Sequence, residues 1–96
     1  MRVLSTSKLK AFQLAGITGS YRHAAHLLAI GPSAVRARVR SLESDLGVRL
    51  FQRGRRRLTL TEAGATYLRE VEAAFVTFDL ATADLCARFV HGALSN

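Results

Sequence analysis

"AVRARVRSLE", residues 34–43, carries two periodicities at once. Arg36, Arg38 and Arg40 occupy every second position, as the outward residues of a strand would. The apolar residues follow a different rule. Val35, Val39, Leu42 and Leu46 are spaced four, three and four apart, which is one face of a helix. Burial drives folding, so the apolar spacing decides, and the stretch reads as a helix anchored by one buried stripe. Around its axis from Val35, Ser33, Ala37, Arg40 and Ser44 point outward and Arg36 lies on the flank. Arg38 sits nearer the core edge, placed either to extend toward an anion or to pair with an acid.

Both ends of this helix are written in the sequence. Proline suits a first helical position, because its missing N–H has no intrahelical partner there; Gly31-Pro32 therefore closes the preceding helix and opens this one. Gly47 is a natural left-handed cap after Leu46. Upstream, "SYRHAAHLLAIG" predicts a short helix capped by Ser20, with Ala24, Leu27 and Leu28 on its apolar face. "SKLKAFQLAGITGS" predicts another, with Leu9, Phe12, Leu14 and Ala15 on one side. Ser7 is its expected N-cap, and Gly16 with Gly19 loosens its end.

Beyond Gly47 the period changes. "VRLFQRGRRRLTLT" predicts two short strands, Val48–Phe51 and Leu58–Leu60, joined by a basic turn centred on Gly54. A long helix follows from Glu62 to about His91. Thr61 is one candidate cap; Thr59 with Glu62 as a capping box is the other. Leu68, Val71, Phe75, Phe78, Thr82, Leu85 and Phe89 alternate steps of three and four along it, a heptad seam with one polar interruption. A domain this small cannot cover a helix of about thirty residues alone. The seam therefore predicts a homodimer through Leu68, Val71, Phe75, Phe78, Leu85 and Phe89.

The chain of 96 residues carries a net charge of +7, and the charge is segregated. Residues 1–35 contribute +4 from Arg2, Lys8, Lys10 and Arg22. Residues 36–57 contribute +6, with eight arginines against Glu43 and Asp45, and the remainder contributes −3. A polyanion partner is therefore expected on the first 57 residues. Twelve of the 14 basic residues are arginine, whose planar fork grips a phosphate or a guanine edge with two hydrogen bonds where lysine offers a point charge. The lone Cys86 gives no disulfide framework and fits a reducing cytoplasm. "MRVLSTSKLKAF" has no continuous apolar region of a secretory signal, and no run approaches a membrane span.

Three short helices, a tight turn between the second and third, and a basic hairpin describe a winged helix-turn-helix. The expected fold is mostly α: three helices plus a two-stranded wing, followed by a long dimerisation helix. A helix fits the major groove of duplex DNA, and its first turn reaches base edges. Ser33 and Ala37 are small enough for close approach, while Arg36 and Arg40 are long enough for a guanine edge or a phosphate.

"GSYRHAAHLLAIGPSAVRARVRSLESDLGVRLFQRGRRRLTLTEAG" resembles the DNA-binding domain of the LysR-type bacterial transcriptional regulators. The matching features are "GS", "AAHLL", "AV…V..LE..LGVRLFQR" and "LTLTEAG", in that order, within a resemblance from about Leu9 to Leu68. It implies a winged helix-turn-helix and a linker helix that pairs with its twin. It further implies base contacts from the start of the third helix and wing contacts to the backbone or minor groove. Those positions carry Pro32, Ser33, Arg36 and Arg40, then Arg53, Arg55, Arg56 and Arg57; Ser20 and Ala37 complete the expected DNA-binding set. Two departures stand out: Gly31-Pro32 replaces the usual serine-glutamine pair, and Arg36 replaces a serine. An adenine reader is lost and a charged reader gained. Complete members continue into an effector domain, so this chain, stopping at Asn96, is expected to be a fragment with that domain and its inducer elsewhere.

The expected organisation is a DNA-binding domain at 1–60, a linker and dimerisation helix at 61–91 and a tail at 92–96. The expected partner is a pseudo-palindromic duplex operator, with no membrane and no cofactor. His23 and His26 are spaced i, i+3, yet two further ligands are not evident, so no metal is expected. Glu43 is expected to support an internal hydrogen bond or ion pair. No nucleophile–base pair, phosphate-cradling loop or carboxylate dyad is present, and no enzyme is expected. A protein-interaction module docking through the long helix is the alternative, and it leaves the +6 of residues 36–57 without a purpose.

Overall fold

The computed structural model describes residues 5–53 and 57–90. Its helices are α1 (Thr6–Thr18), α2 (Tyr21–Leu28), α3 (Pro32–Leu46) and α4 (Glu62–Leu85), the last running into a π-helical segment at Cys86–Val90. α1, α2 and α3 pack on one another, and the first half of α4 lies against α1. The fold is the expected mostly helical arrangement with a helix-turn-helix and a long final helix.

The core follows the stripe read from the sequence. Val35, Val39 and Leu42 are fully buried, with Leu46 half-buried beside them. Ala24 and Ala25 let α2 approach closely. Phe12 of α1 is the hub: the Phe51 ring meets it edge-on at 5.7 Å between centroids, and Tyr67 of α4 lies at 5.6 Å. One fully buried ring of α1 thus touches both the wing and α4.

Several local expectations shift. α1 begins two residues earlier than a Ser7 cap requires: Ser5 is the N-cap, without a side-chain cap bond. Gly16 lies inside α1, where a Cβ would come within 3.0 Å of the Leu68 side chain, so glycine there allows α4 to approach. Gly19 is the left-handed cap, at φ +69°. Ser20 caps α2, its hydroxyl accepting from the His23 N–H at 3.1 Å. α2 ends before Gly31: the left-handed turn falls on Ala29, at φ 57°, and Gly31 is ordinary extended backbone at the start of α3. Leu27, expected on the apolar face, is 61% exposed, because the second buried position of α2 is Ala25.

The wing is slighter than two strands. Its arms run antiparallel as expected, but among the described residues they form one bridge, Phe51 with Leu60, beside a hydrogen bond from Gln52 N–H to the Thr59 carbonyl at 2.8 Å. Strict alternation fails because Leu50 and Phe51 are both buried while Val48 and Arg49 are exposed. Leu50 turns inward toward α4, and Phe51 toward Phe12. Thr61, rather than Thr59, caps α4: its hydroxyl accepts from Gly64 N–H at 2.9 Å and donates to the Arg49 carbonyl at 2.7 Å.

The heptad seam divides along its length. Leu68 and Val71, expected at a dimer interface, are buried in the chain's own core, because α1 already covers that part of α4. Phe75 is half-buried beneath Lys10, whose ammonium sits 4.6 Å from the ring centroid. Phe78, Leu85 and Phe89 are 63%, 54% and 65% exposed. Phe89 lies in the π-helical segment, where α spacing no longer sets side-chain direction. His91 and the tail at 92–96 lie outside the described residues.

Among the described glycines the tightest packing is at Gly64, where a Cβ would overlap the Leu50 carbonyl oxygen. That carbonyl also accepts from Thr61 N–H at 3.0 Å, so it has little freedom to retreat. Gly64→Ala is expected to cost about 1–3 kcal/mol, the usual range for overpacking. Urea unfolding measures it; an unchanged midpoint would contradict this account of the wing–helix junction.

Candidate nucleic-acid interface

Two hydrogen bonds fix the wing relative to α3. Glu43 Oε2 accepts from the Leu50 N–H at 2.7 Å and the Phe51 N–H at 3.2 Å. These amides would otherwise leave the irregular stretch after Gly47 without partners, and charged acceptors make the stronger bonds. The role expected of Glu43, an internal hydrogen bond, is the one it fills. On the far side of α3, Lys8 reaches Asp45 at 2.7 Å and ties the start of α1 to the end of α3.

With the wing so held, its arginines face those of α2 and α3. A groove of about 580 Å³ is lined by Arg22, Arg36, Arg40, Arg49, Arg53 and Arg57. Glu43, Ser20, Tyr21 and Gln52 also line it. Six arginines thus line one depression with a single carboxylate residue, itself engaged by backbone N–H groups. Arg36 lies over the Tyr21 ring, its guanidinium carbon 5.0 Å from the centroid, in cation–π contact. Burial first, and Glu43 nearby, push the Tyr21 hydroxyl above its usual pKa, while Arg36 and Arg40 pull the other way.

The residues expected at a DNA interface therefore fall into three groups. Ser20, Arg36, Arg40, Arg53 and Arg57 share the groove. Pro32, Ser33 and Ala37 are exposed on the first turns of α3. Arg55 and Arg56 lie outside the described residues. Sequence reasoning missed Tyr21, Arg22, Arg49 and Gln52. Arg22 follows the Ser20 cap on the first turn of α2, and Arg49 belongs to the arginine-dense segment; both signals were available. His23 and His26 are exposed, and no group of three or more metal-ligating side chains occurs among the described residues. No helix of the described residues is long and apolar enough to cross a membrane.

Residues 6–65 match the family model described as the bacterial regulatory helix-turn-helix protein, lysR family. The chain belongs to the LysR family. It is 45% identical over 67 residues to the HTH-type transcriptional regulator PerR of Escherichia coli K12, covering 70% of this chain and 23% of that protein. It is 36% identical over 94 residues to the glycine cleavage system transcriptional activator of the same organism, covering 98% of this chain and 31% of that one. The chain thus spans under a third of the length of these LysR relatives. Among solved structures, the CbnR DNA-binding domain in complex with DNA superposes with a TM-score of 0.78 at 26% identity, over 88% of this chain and 97% of that one. The BenM DNA-binding domain with benA site 1 DNA gives a TM-score of 0.80 at 22% identity, over 90% and 99%, and shares the fold.

Removing the Glu43 carboxylate separates its structural role from its charge. Glu43→Ala is expected to cost about 1–3 kcal/mol, the penalty for stranding buried donors, and to speed hydrogen exchange at the Leu50 and Phe51 amides. Glu43→Gln keeps an acceptor and should recover much of that protection. Equal exchange in all three proteins would show that something else holds the wing.

Proposed function

We propose that this chain is the sequence-specific, double-stranded-DNA-binding part of a bacterial LysR-type transcriptional regulator, working in the cytoplasm without a catalytic step. The observation that carries the reading is the groove of six arginines beside the small, exposed first turns of α3. α3 enters the major groove, with Ser33 and Ala37 close to the base edges and Arg36 and Arg40 reaching them or the adjoining phosphates. Arg53, Arg57 and the wing residues Arg55 and Arg56 meet the backbone or minor groove and set the register of α3 without reading sequence. Arg22 and Arg49 add phosphate contacts from the groove walls. The DNA complexes of CbnR and BenM, built on the same fold, support this placement.

The working unit in this reading is a homodimer, with residues 1–60 reading DNA and 61–91 joining the copies. The first turns of the joining helix belong to the DNA-reading core, so the dimer surface starts later than Val71. Phe78 and Leu85 continue the stripe of Leu68 and Val71 into the exposed half of α4, and a depression of about 300 Å³ beside Phe78 is lined by Leu9, Val71, Ala74 and Phe75. Covering a large apolar side chain yields about 1.5–3 kcal/mol. A two-fold pair would present two α3 helices to one face of a pseudo-palindromic operator.

Two experiments test this. Binding to duplex DNA should weaken steeply with salt, and replacing Arg55, Arg56 and Arg57 together by alanine should lower the slope of log K against log salt by up to about 2.7, at about 0.9 per phosphate contact. Affinity should fall alike for all duplexes. Loss of site discrimination with nonspecific binding intact would make the wing a base reader. For assembly, Phe78→Glu with Leu85→Glu should yield monomers that hold single half-sites weakly. Sedimentation of the unaltered chain as a monomer at micromolar concentration, still gripping a full palindrome, would contradict the dimer.

A further inference from the structure

Arg36 is a long, exposed side chain, and a free arginine gives up much rotamer entropy when it settles on a base. Its surroundings here are specific. The guanidinium lies over the face of Tyr21, and the Tyr21 ring is itself held edge-on by Phe51 at 6.1 Å and 68°. Phe51 in turn meets Phe12 edge-on at 65°, and Phe12 is fully buried. A chain of three rings therefore connects the hydrophobic core to the guanidinium through the wing. Tyr21 is the last rigid member of that chain, half-buried at the first position of α2 and lining the arginine groove.

We infer that Tyr21 is a specificity-determining positioning residue: its ring face holds the Arg36 guanidinium in place for bidentate recognition of a guanine. The inference rests on the DNA-binding reading above and adds to it a residue that acts through Arg36. Two features favour the role over simple packing. Only one side of the ring is needed for Phe51, leaving a face to the groove where the guanidinium sits. Stacking also leaves the outer edge of the fork free to donate, because a cation–π contact uses the plane of the group and not its N–H bonds. Arg40, with no ring contact among the described residues, lacks this preorganisation and suits a phosphate.

The test uses the 96-residue chain. Selection from a random duplex pool gives the preferred site, and competition with duplexes altered one base pair at a time gives the discrimination at each position. Arg36→Ala should lose about 5- to 150-fold discrimination at one guanine, the range for one bidentate contact. Tyr21→Leu should lose at least about fivefold at the same base pair, with nonspecific affinity within about twofold. Tyr21→Phe, which keeps the ring, should retain the preference, and Tyr21→Leu with Arg36→Ala should discriminate no less than Arg36→Ala alone. A Tyr21→Leu protein that keeps its preference, or that weakens on every duplex equally, overturns the inference. Proton NMR of the free, unaltered chain gives an answer that needs no variant to fold. The Arg36 δ protons should be shifted upfield by the Tyr21 ring current, and random-coil positions would overturn the inference. A chain with no preference for any duplex would overturn the functional reading itself, and this inference with it.

Discussion

A single carboxylate sets the geometry of the whole interface. Glu43 projects from α3 and gathers the Leu50 and Phe51 amides just where the backbone leaves helix and has not yet entered the bridge. Those two bonds place consecutive residues inward, so Leu50 reaches the start of α4 and Phe51 reaches Phe12. With both residues committed to the interior, Arg49 and Arg53 have only the groove side left. The one glutamate set among eight arginines is what holds the wing beside α3. It costs the interface little positive potential, because its oxygen is occupied by N–H donors and half-buried.

How much of this was legible in the sequence depends on the range of the interaction. α3 was readable to its ends, since an apolar spacing of four, three and four, a proline at the first position and a glycine after the last are local signals. The Ser20 cap was equally local. The wing was not, because alternation predicts a strand and two adjacent buried residues break it. That break follows from a hydrogen bond seven residues away and from the ring of a residue in α1. The left-handed turn at Ala29 also escaped, since glycine two positions later offered the expected chemistry and the chain did not use it.

The long helix shows the same division. Its heptad spacing is genuine, but spacing alone does not say which partner fills each turn. α1 claims Leu68 and Val71, Lys10 shelters Phe75, and only the remainder of the stripe is left for another molecule. The arginines of the candidate site follow a similar rule. Charge segregation located the polyanion-facing half of the chain, and the resemblance to LysR-type regulators named Arg36, Arg40 and the wing. Arg22 and Arg49 carried local signals, but Tyr21 required three dimensions, because it meets Arg36 from a different helix.

The central claim is that duplex DNA lies across α3 and the arginine groove, and two-dimensional NMR of the chain titrated with its selected duplex tests it most directly. The account predicts the largest shifts at Ser33, Ala37 and the side chains of Arg22, Arg36, Arg40, Arg49 and Arg53, with the α1–α4 contact around Leu68 unmoved. Shifts concentrated on the exposed half of α4, with those arginines unperturbed, would contradict it.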